Sequence, residues 1–297
     1  MNSPIELANK GNLKIWLFYI LPHHLVSRLV YFITRLKGPL VQPMIKWFID
    51  RFDVDMSDSE LPNTTAYKTF NEFFTRALMP EARPVVPGQN ILTSHVDGTV
   101  SEAGKISDQI IFQAKDHKYT VSELLGGDAS MASLFENGRF ATIYLAPYNY
   151  HRIHMPVDGI LKRMLHIPGR LFSVAPWTVA GVPRLFARNE RVVCLFTTPA
   201  GPMAMVLVGA INVAAIETVW AGVITPPKGK KISAFDYRQT KKQYPKGTEM
   251  GRFNMGSTVI LLSAANVEWL PKIRNGQKLK MGELIGHFPS PESTPVQ

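Results

Sequence analysis

The stretch Arg191-Val-Val-Cys-Leu-Phe-Thr-Thr-Pro-Ala-Gly-Pro-Met-Ala-Met-Val-Leu-Val-Gly-Ala210 decides the fold class. It holds two short apolar runs, Arg191 to Thr198 and Ala204 to Ala210, rich in β-branched residues and parted by turn residues. That pattern predicts adjoining strands rather than a helix. Working outward, Gln109 to Gln113, Phe140 to Leu145, Val213 to Trp220 and Ser257 to Ala264 repeat it. Short helices interrupt the strands: Thr120 and Glu123 form a capping box, and Asp128 caps a helix ending near Asn137-Gly138. Upstream the period changes. Leu25, Leu29, Phe32 and Leu36 recur at helical spacing, and after Pro39 so do Val41, Met44, Ile45 and Phe48. The expected architecture is α+β: amphipathic N-terminal helices over residues 1–52, then a β-rich body with short helices over 53–297.

Composition narrows the partners. The 297 residues are 45% hydrophobic and 19% charged, as in globular chains. A balance of 33 Lys+Arg against 23 Asp+Glu gives a net charge of +10, which favours nucleic acid or an anionic lipid surface. No zinc-finger spacing or RNA-recognition motif supports nucleic acid. The early residues instead concentrate cations (Lys10, Lys14, Arg28, Arg35, Lys37, Lys46) against one acid, Glu6. They also hold Trp16, Phe18, Tyr19, Tyr31, Phe32, Trp47 and Phe48. Apolar stripes with flanking cations suit helices lying in a lipid interface, although two ordinary helices packed on the body would also fit. The run Leu13 to Leu21 is too short to span a bilayer, and no cleavable leader or Arg-bearing transit segment is visible. A peripheral position on the cytoplasmic side of the cell membrane is therefore expected. The single cysteine, Cys194, reads as a buried strand thiol. The basic stretch Lys228 to Arg252, with Gly229, Pro245 and Gly247, reads as a surface loop, either simply solvated or set beside anionic phosphate.

Three stretches carry candidate chemistry. They are Ser94-His-Val-Asp-Gly-Thr-Val100, Tyr144-Leu-Ala-Pro-Tyr-Asn-Tyr-His-Arg-Ile-His-Met-Pro156, and Gly251-Arg-Phe-Asn-Met-Gly-Ser-Thr-Val-Ile260. Each is weak alone. Asp97-Gly98 is the form of a turn, His151 and His154 lack a third ligand for a metal, and Gly256-Ser257 is an ordinary strand entry. No metal is expected.

Together these stretches resemble the bacterial phosphatidylserine decarboxylase proenzymes, a pyruvoyl-dependent family. The resemblance rests on Met255-Gly-Ser-Thr258, Tyr150-His-Arg-Ile-His-Met-Pro156 and Asp97-Gly-Thr-Val100. It extends to Phe70-Asn-Glu-Phe-Phe-Thr-Arg76, Leu171-Phe-Ser-Val174, Leu185-Phe-Ala-Arg-Asn-Glu-Arg191 and Glu217-Thr-Val-Trp-Ala-Gly222, and so covers nearly the whole chain. Met255 stands where the family motif has Leu, a near-isosteric apolar exchange.

The resemblance implies self-cleavage between Gly256 and Ser257 into chains 1–256 and 257–297, with Ser257 becoming a covalent pyruvoyl group. His154 would take the proton of Ser257 and Asp97 would orient His154, the logic of a hydrolase triad. The amide becomes an ester, elimination frees the Gly256 carboxylate, and hydrolysis of the dehydroalanine leaves the ketone. That ketone would form a Schiff base with the serine amine of phosphatidylserine and accept the electrons released with carbon dioxide, giving phosphatidylethanolamine. His151 is implied as an acid or substrate-positioning group and Ser173 as a headgroup contact. Also implied are an anionic membrane surface as partner and a homodimer of processed protomers.

Two other classes compete. An uncleaved Ser–His–Asp lipid hydrolase would use the same residues, but no Gly-x-Ser-x-Gly elbow surrounds Ser257. A lipoyl- or biotinyl-like carrier is suggested by Lys280-Met-Gly-Glu-Leu-Ile-Gly286, which reads as a hairpin of such barrels, yet no Met-Lys-Met motif accompanies it.

Overall fold

A computed structural model describes residues 21–114, 117–211, 215–226, 231–254 and 257–289. Lys10, Lys14, Trp16, Phe18, Tyr19, Val213, Lys228, Lys230, Met255 and Gly256 lie outside them, as does the tail from residue 290. The chain is α+β, as its pattern predicts.

Helices α1 (His23–Ile33), α2 (Val41–Phe52) and α3 (Phe70–Phe74) come first. The hydroxyl of Thr69 caps α3 by accepting from the backbone N–H of Glu72. The body opens with β1 (Ile91–Thr93), β2 (Gly98–Lys105), β3 (Ile110–Ala114) and β4 (His117–Thr120), followed by α4 (Val121–Leu124) and α5 (Ala129–Ser133). The Thr120–Glu123 capping box starts α4 and Asp128 caps α5, both as expected. Next come β5 (Arg139–Leu145), β6 (Arg152–His154), β7 (Gly159–Ile167), α6 (Pro176–Val179) and α7 (Leu185–Arg188). The chain ends with β8 (Arg191–Thr198), β9 (Gly201–Val208), β10 (Ile216–Thr218), β11 (Gly222–Val223), β12 (Ser233–Asp236), β13 (Gln243–Tyr244), β14 (Glu249–Phe253), β15 (Ser257–Ser263), β16 (Glu268–Trp269), β17 (Lys278–Leu279) and β18 (Leu284–His287).

The main sheet is antiparallel, in the order β12-β7-β8-β9-β15-β5-β2-β17, with β13 also on β7. The runs read first in the sequence, β8 and β9, pair from Arg191↔Val208 to Thr198↔Gly201. Every residue of β15 is buried, because it lies mid-sheet between β9 and β5. This accounts for its continuous apolar run, where a half-exposed strand would alternate. A second sheet, β11-β10-β14-β6, carries His154 in β6, which begins directly after His151, and β1-β18-β16 forms a third. The basic stretch is less of a loop than its composition suggests, since β12 and β13 both pair with β7.

Cys194 is fully buried in β8, and burial raises its pKa. A separate cluster of Val41, Ile45, Phe48, Val54, Tyr67, Phe70, Phe73 and Phe74 joins α2 to α3. It straddles the expected boundary between residues 52 and 53. Phe48 is its hub, meeting Phe70 edge-on at 5.1 Å and Phe73 at 6.0 Å.

The two early helices therefore differ. The apolar stripe of α2 packs inward. That of α1 does not: Leu25, Leu29 and Phe32 are 67%, 57% and 64% exposed, while His23 and Ser27 are buried. Polar contacts hold this inverted helix, with His24 Nε2 donating to the Gly169 carbonyl at 2.9 Å and His23 set edge-on to Phe172 at 5.2 Å. Leu36, Leu40 and Trp47 extend the exposed apolar surface. Among the described residues no helix is long and apolar enough to cross a membrane.

Candidate active site

Asp97 closes the loop before β2. Its neighbour Gly98 passes so close to β5 that an added Cβ would lie 2.6 Å from the Tyr144 carbonyl oxygen. The Asp-Gly pair is thus a point of close backbone approach, which sets Asp97 against the edge of the main sheet. Both carboxylate oxygens of Asp97 are occupied. Arg83 Nε donates to them at 3.0 and 3.1 Å, Arg83 Nη2 at 2.6 Å, and the backbone N–H of Met281 at 2.8 Å. Arg83 continues to Asp58 at 2.7 Å. Burial pulls the Arg83 pKa down, but the hydrogen bonds and charges of Asp97 and Asp58 outweigh it and hold the guanidinium above its ordinary value. Met281 lies in the segment read as a barrel hairpin. Its flanking strands do not pair with each other: β17 joins β2, and β18 joins β1 and β16.

His154 ends β6. Its Nδ1 is 2.8 Å from the Gly247 carbonyl, which can only accept, so Nδ1 carries the proton. In the neutral ring Nε2 is then an acceptor, and the Tyr150 hydroxyl donates to it at 3.0 Å. Gly247 has φ of +80°, and a Cβ there would lie 2.8 Å from Val85 Cγ2, so this carbonyl is placed by a residue without a side chain. Burial lowers the His154 pKa, keeping the ring neutral near pH 7 with a basic Nε2.

His151 is fully buried and stacks on Phe74 at a centroid distance of 4.2 Å and 22°. Neither ring nitrogen makes a hydrogen bond among the described residues. Burial, aided by the charge of Arg76, pushes its pKa down to about 3.

Ser257 opens β15 opposite Leu145. Its Oγ is buried and has no hydrogen-bond partner among the described residues. The backbone gathers these groups. Phe253 N–H donates to the His151 carbonyl at 3.0 Å and Ser257 pairs with Leu145, so both ends of the segment 145–151 are tied to the chain around Ser257. His154 N–H donates to the carbonyl of His95, two residues before Asp97, at 2.8 Å. No side-chain hydrogen bond joins Asp97 to His154 or His154 to Ser257. Arg83 and Met281 hold the first residue, and Gly247 and Tyr150 hold the second.

Ser173 lines a largely apolar cavity of about 270 Å³ with Trp47, Phe74, Tyr144, Pro147 and Ile211. Tyr144 pairs with Thr258, so this cavity caps the sheet end where Ser257 begins. The Ser173 Oγ accepts from the Ala175 N–H at 3.3 Å. Among the described residues no cluster of His, Cys, Asp or Glu could hold a metal ion. Sequence reasoning missed the roles of Arg83, Tyr150, Gly247 and Met281. Tyr150 stood in plain view inside the His151–His154 block, but Met281 reaches Asp97 only through tertiary contact.

Comparison with known proteins decides what this arrangement belongs to. The family described as phosphatidylserine decarboxylase matches residues 70–287. The chain belongs to the phosphatidylserine decarboxylase family. A second family, described as PSD, matches residues 13–53 and so covers α1 and α2. A protein of Alkalilimnicola ehrlichii named phosphatidylserine decarboxylase proenzyme is 56% identical over 253 residues, 84% of this chain and 88% of its own length. Proteins of the same name from Shewanella frigidimarina and Idiomarina loihiensis are 50% and 48% identical, over 92% and 95% of this chain and 96% and 98% of theirs. Asp97, His151, His154, Ser173 and Ser257 all fall within the decarboxylase match.

Proposed function

We propose that the chain is a proenzyme that cleaves itself between Gly256 and Ser257 and then decarboxylates phosphatidylserine to phosphatidylethanolamine as a carboxy-lyase. The observation that carries this reading, beside family membership, is the Ser257 hydroxyl, buried at the head of β15 with no hydrogen-bond partner among the described residues. An unsatisfied hydroxyl in such a place costs about 1–3 kcal/mol. Conversion to a ketone removes the donor that lacks an acceptor, so the site suits a pyruvoyl group.

In maturation, Nε2 of His154 takes the Ser257 proton once the Tyr150 hydroxyl yields it. Ser257 Oγ adds to the Gly256 carbonyl, the C–N bond breaks, and an ester results. Loss of the Ser257 α-proton expels Gly256 as a carboxylate. Hydrolysis of the remaining enamine consumes one water and releases ammonia. Asp97, fixed by Arg83 and Met281, contributes negative charge beside the imidazolium that forms. The pyruvoyl group supplies an electron sink for the pair left when carbon dioxide departs. His151, neutral and stacked on Phe74, positions the headgroup or relays to the product carbon a proton that it takes from the substrate ammonium. Ser173 offers its hydroxyl from the cavity wall, and the apolar lining around Trp47 suits an acyl chain of the lipid.

The exposed stripe of α1 supports a peripheral position on an anionic membrane surface, with residues 1–52 as the lipid-facing segment and 53–297 as the catalytic body. A homodimer of processed protomers completes the reading; light scattering after size exclusion tests it. Intact mass is the decisive experiment. Two chains, 1–256 and 257–297, the smaller without a free amino terminus, are expected, and Ser257→Ala should give one chain and no decarboxylation. Normal decarboxylation by Ser257→Ala would end the proposal.

A further inference from the structure

Arg76 is a buried cation with no carboxylate in ion-pair contact among the described residues; Asp97 and Asp55 act on it only through space. It is 4% exposed, and its Nε and Nη1 make no hydrogen bond among the described residues. Among the described residues only Nη2 makes a hydrogen bond, with the Tyr148 carbonyl at 3.2 Å, and the guanidinium carbon lies 5.5 Å from the centre of the Phe73 ring. A guanidinium held this way is costly to bury, and such a group calls for an explanation such as a missing ligand.

Arg76 lines two cavities, one with Asp53, Asp55, Asp58 and Asp97 and another with a cluster of arginines. Arg76, Arg152 and Arg252 line one cavity of about 300 Å³. Arg152 and Arg252 face each other across β6 and β14, a like-charge pair that is unfavourable by itself. They share one carboxylate, Glu249, at 3.0 and 2.9 Å. Glu60 and Glu72 also line the cavity, but Glu72 is already occupied by the Lys68 N–H at 2.8 Å. The Arg152 ring of contacts is fixed from behind, since its Nε donates to the Thr75 carbonyl at 2.9 Å. Residues two apart on a strand share a face, so Arg152 lies on the side of β6 that carries His154. The chain beside the cavity meets the segment after α1: Asn71 N–H donates to the Thr34 carbonyl at 2.8 Å, and Glu217, opposite Arg252, acts on the charge of Arg35.

We propose that Arg76, Arg152 and Arg252 form the subsite that holds the phosphodiester of the lipid headgroup; this rests on the decarboxylase reading above. Headgroup chemistry selects the phosphate over the carboxylate. A cation cluster on the carboxylate would stabilise the charge that must leave as neutral carbon dioxide and would slow the reaction. The phosphodiester keeps its charge throughout, so binding it anchors substrate and transition state alike and acts on KM rather than kcat.

The test uses processed wild-type enzyme and the Arg76→Met and Arg252→Gln variants. Glycerophosphoserine is titrated with ³¹P line broadening, free serine and inorganic phosphate serve as competitors, and KM and kcat are measured on phosphatidylserine in mixed micelles. Saturable broadening is expected in the wild type, displaced by inorganic phosphate but not by serine. Both variants should raise KM about ten- to hundred-fold with kcat little changed. Self-cleavage should proceed, and the thermal midpoint of Arg76→Met should rise, because an unpaired buried charge has gone. Unchanged KM and broadening in both variants would overturn the subsite, as would displacement by serine alone. A lowered midpoint in Arg76→Met with normal KM in Arg252→Gln would make Arg76 structural. Wild-type protein that binds the phosphoester yet releases no carbon dioxide would end the decarboxylase reading and leave the subsite standing.

Discussion

The Tyr150 hydroxyl donates to Nε2 of His154 at 3.0 Å and so covers the lone pair that a base at Ser257 would use. A donor on a neutral imidazole stabilises the neutral form. Tyr150→Phe should therefore leave self-cleavage intact, since Gly247 still holds Nδ1, and should shift its acid limb upward toward the ordinary histidine value. The processing rate against pH, followed by gel, checks this. A variant that never processes would place Tyr150 itself on the proton path.

Arg83 and Asp97 form a nearly buried pair, their side chains 10% and 7% exposed. Removing one partner strands the other, typically at a cost of about 3–5 kcal/mol. Arg83→Gln should lower stability by that order and slow processing, while the double variant Arg83→Gln with Asp97→Asn should be less unstable than the two single losses combined. Urea unfolding of the four proteins measures the coupling. Strict additivity would mean that the clamp contributes nothing.

The exposed face of α1 yields a prediction that separates binding from folding. Leu29→Glu with Phe32→Glu should abolish sedimentation with anionic vesicles. Each residue is more than half exposed, so unfolding free energy should change by no more than about 0.5 kcal/mol per site. Undiminished vesicle binding would remove α1 from the lipid interface.

Two buried histidines set an acid dependence. Burial pushes His95 and His151 down to about 3, whereas the ordinary value is 6.5. Above 6.5 neither folded nor unfolded chain holds these protons, so they add no pH term. Between 6.5 and about 3 only the unfolded chain takes them up, and stability falls with pH by about 1.4 kcal/mol per unit for each histidine. His95→Leu should make the decline from pH 6 to pH 4 shallower by about that amount, measured by denaturant unfolding. An unchanged slope would contradict a neutral, buried His95.

Alternating and continuous apolar runs placed the strands of the body, and the capping residues Thr120 and Asp128 placed two helix starts, because these are local contests between backbone and nearby side chains. The short motifs around Asp97, His151, His154 and Ser257 identified the family for the same reason: each block is contiguous. What a sequence encodes over a few neighbours, it states openly. The partners of those residues are another matter. Met281 and Gly247 reach Asp97 and His154 through backbone atoms, which carry no residue identity. The stripes of α1 and α2 look alike along the chain, yet one is packed and the other exposed. That difference is settled by Phe70, Phe73 and Phe74, which offer α2 an apolar partner, and by the absence of any such partner for α1 among the described residues. Burial of Arg76 without an ion pair among the described residues likewise exists only once distant segments close around it. Tertiary structure decided these points because desolvation and hydrogen bonding depend on which groups meet in space, not on which follow one another.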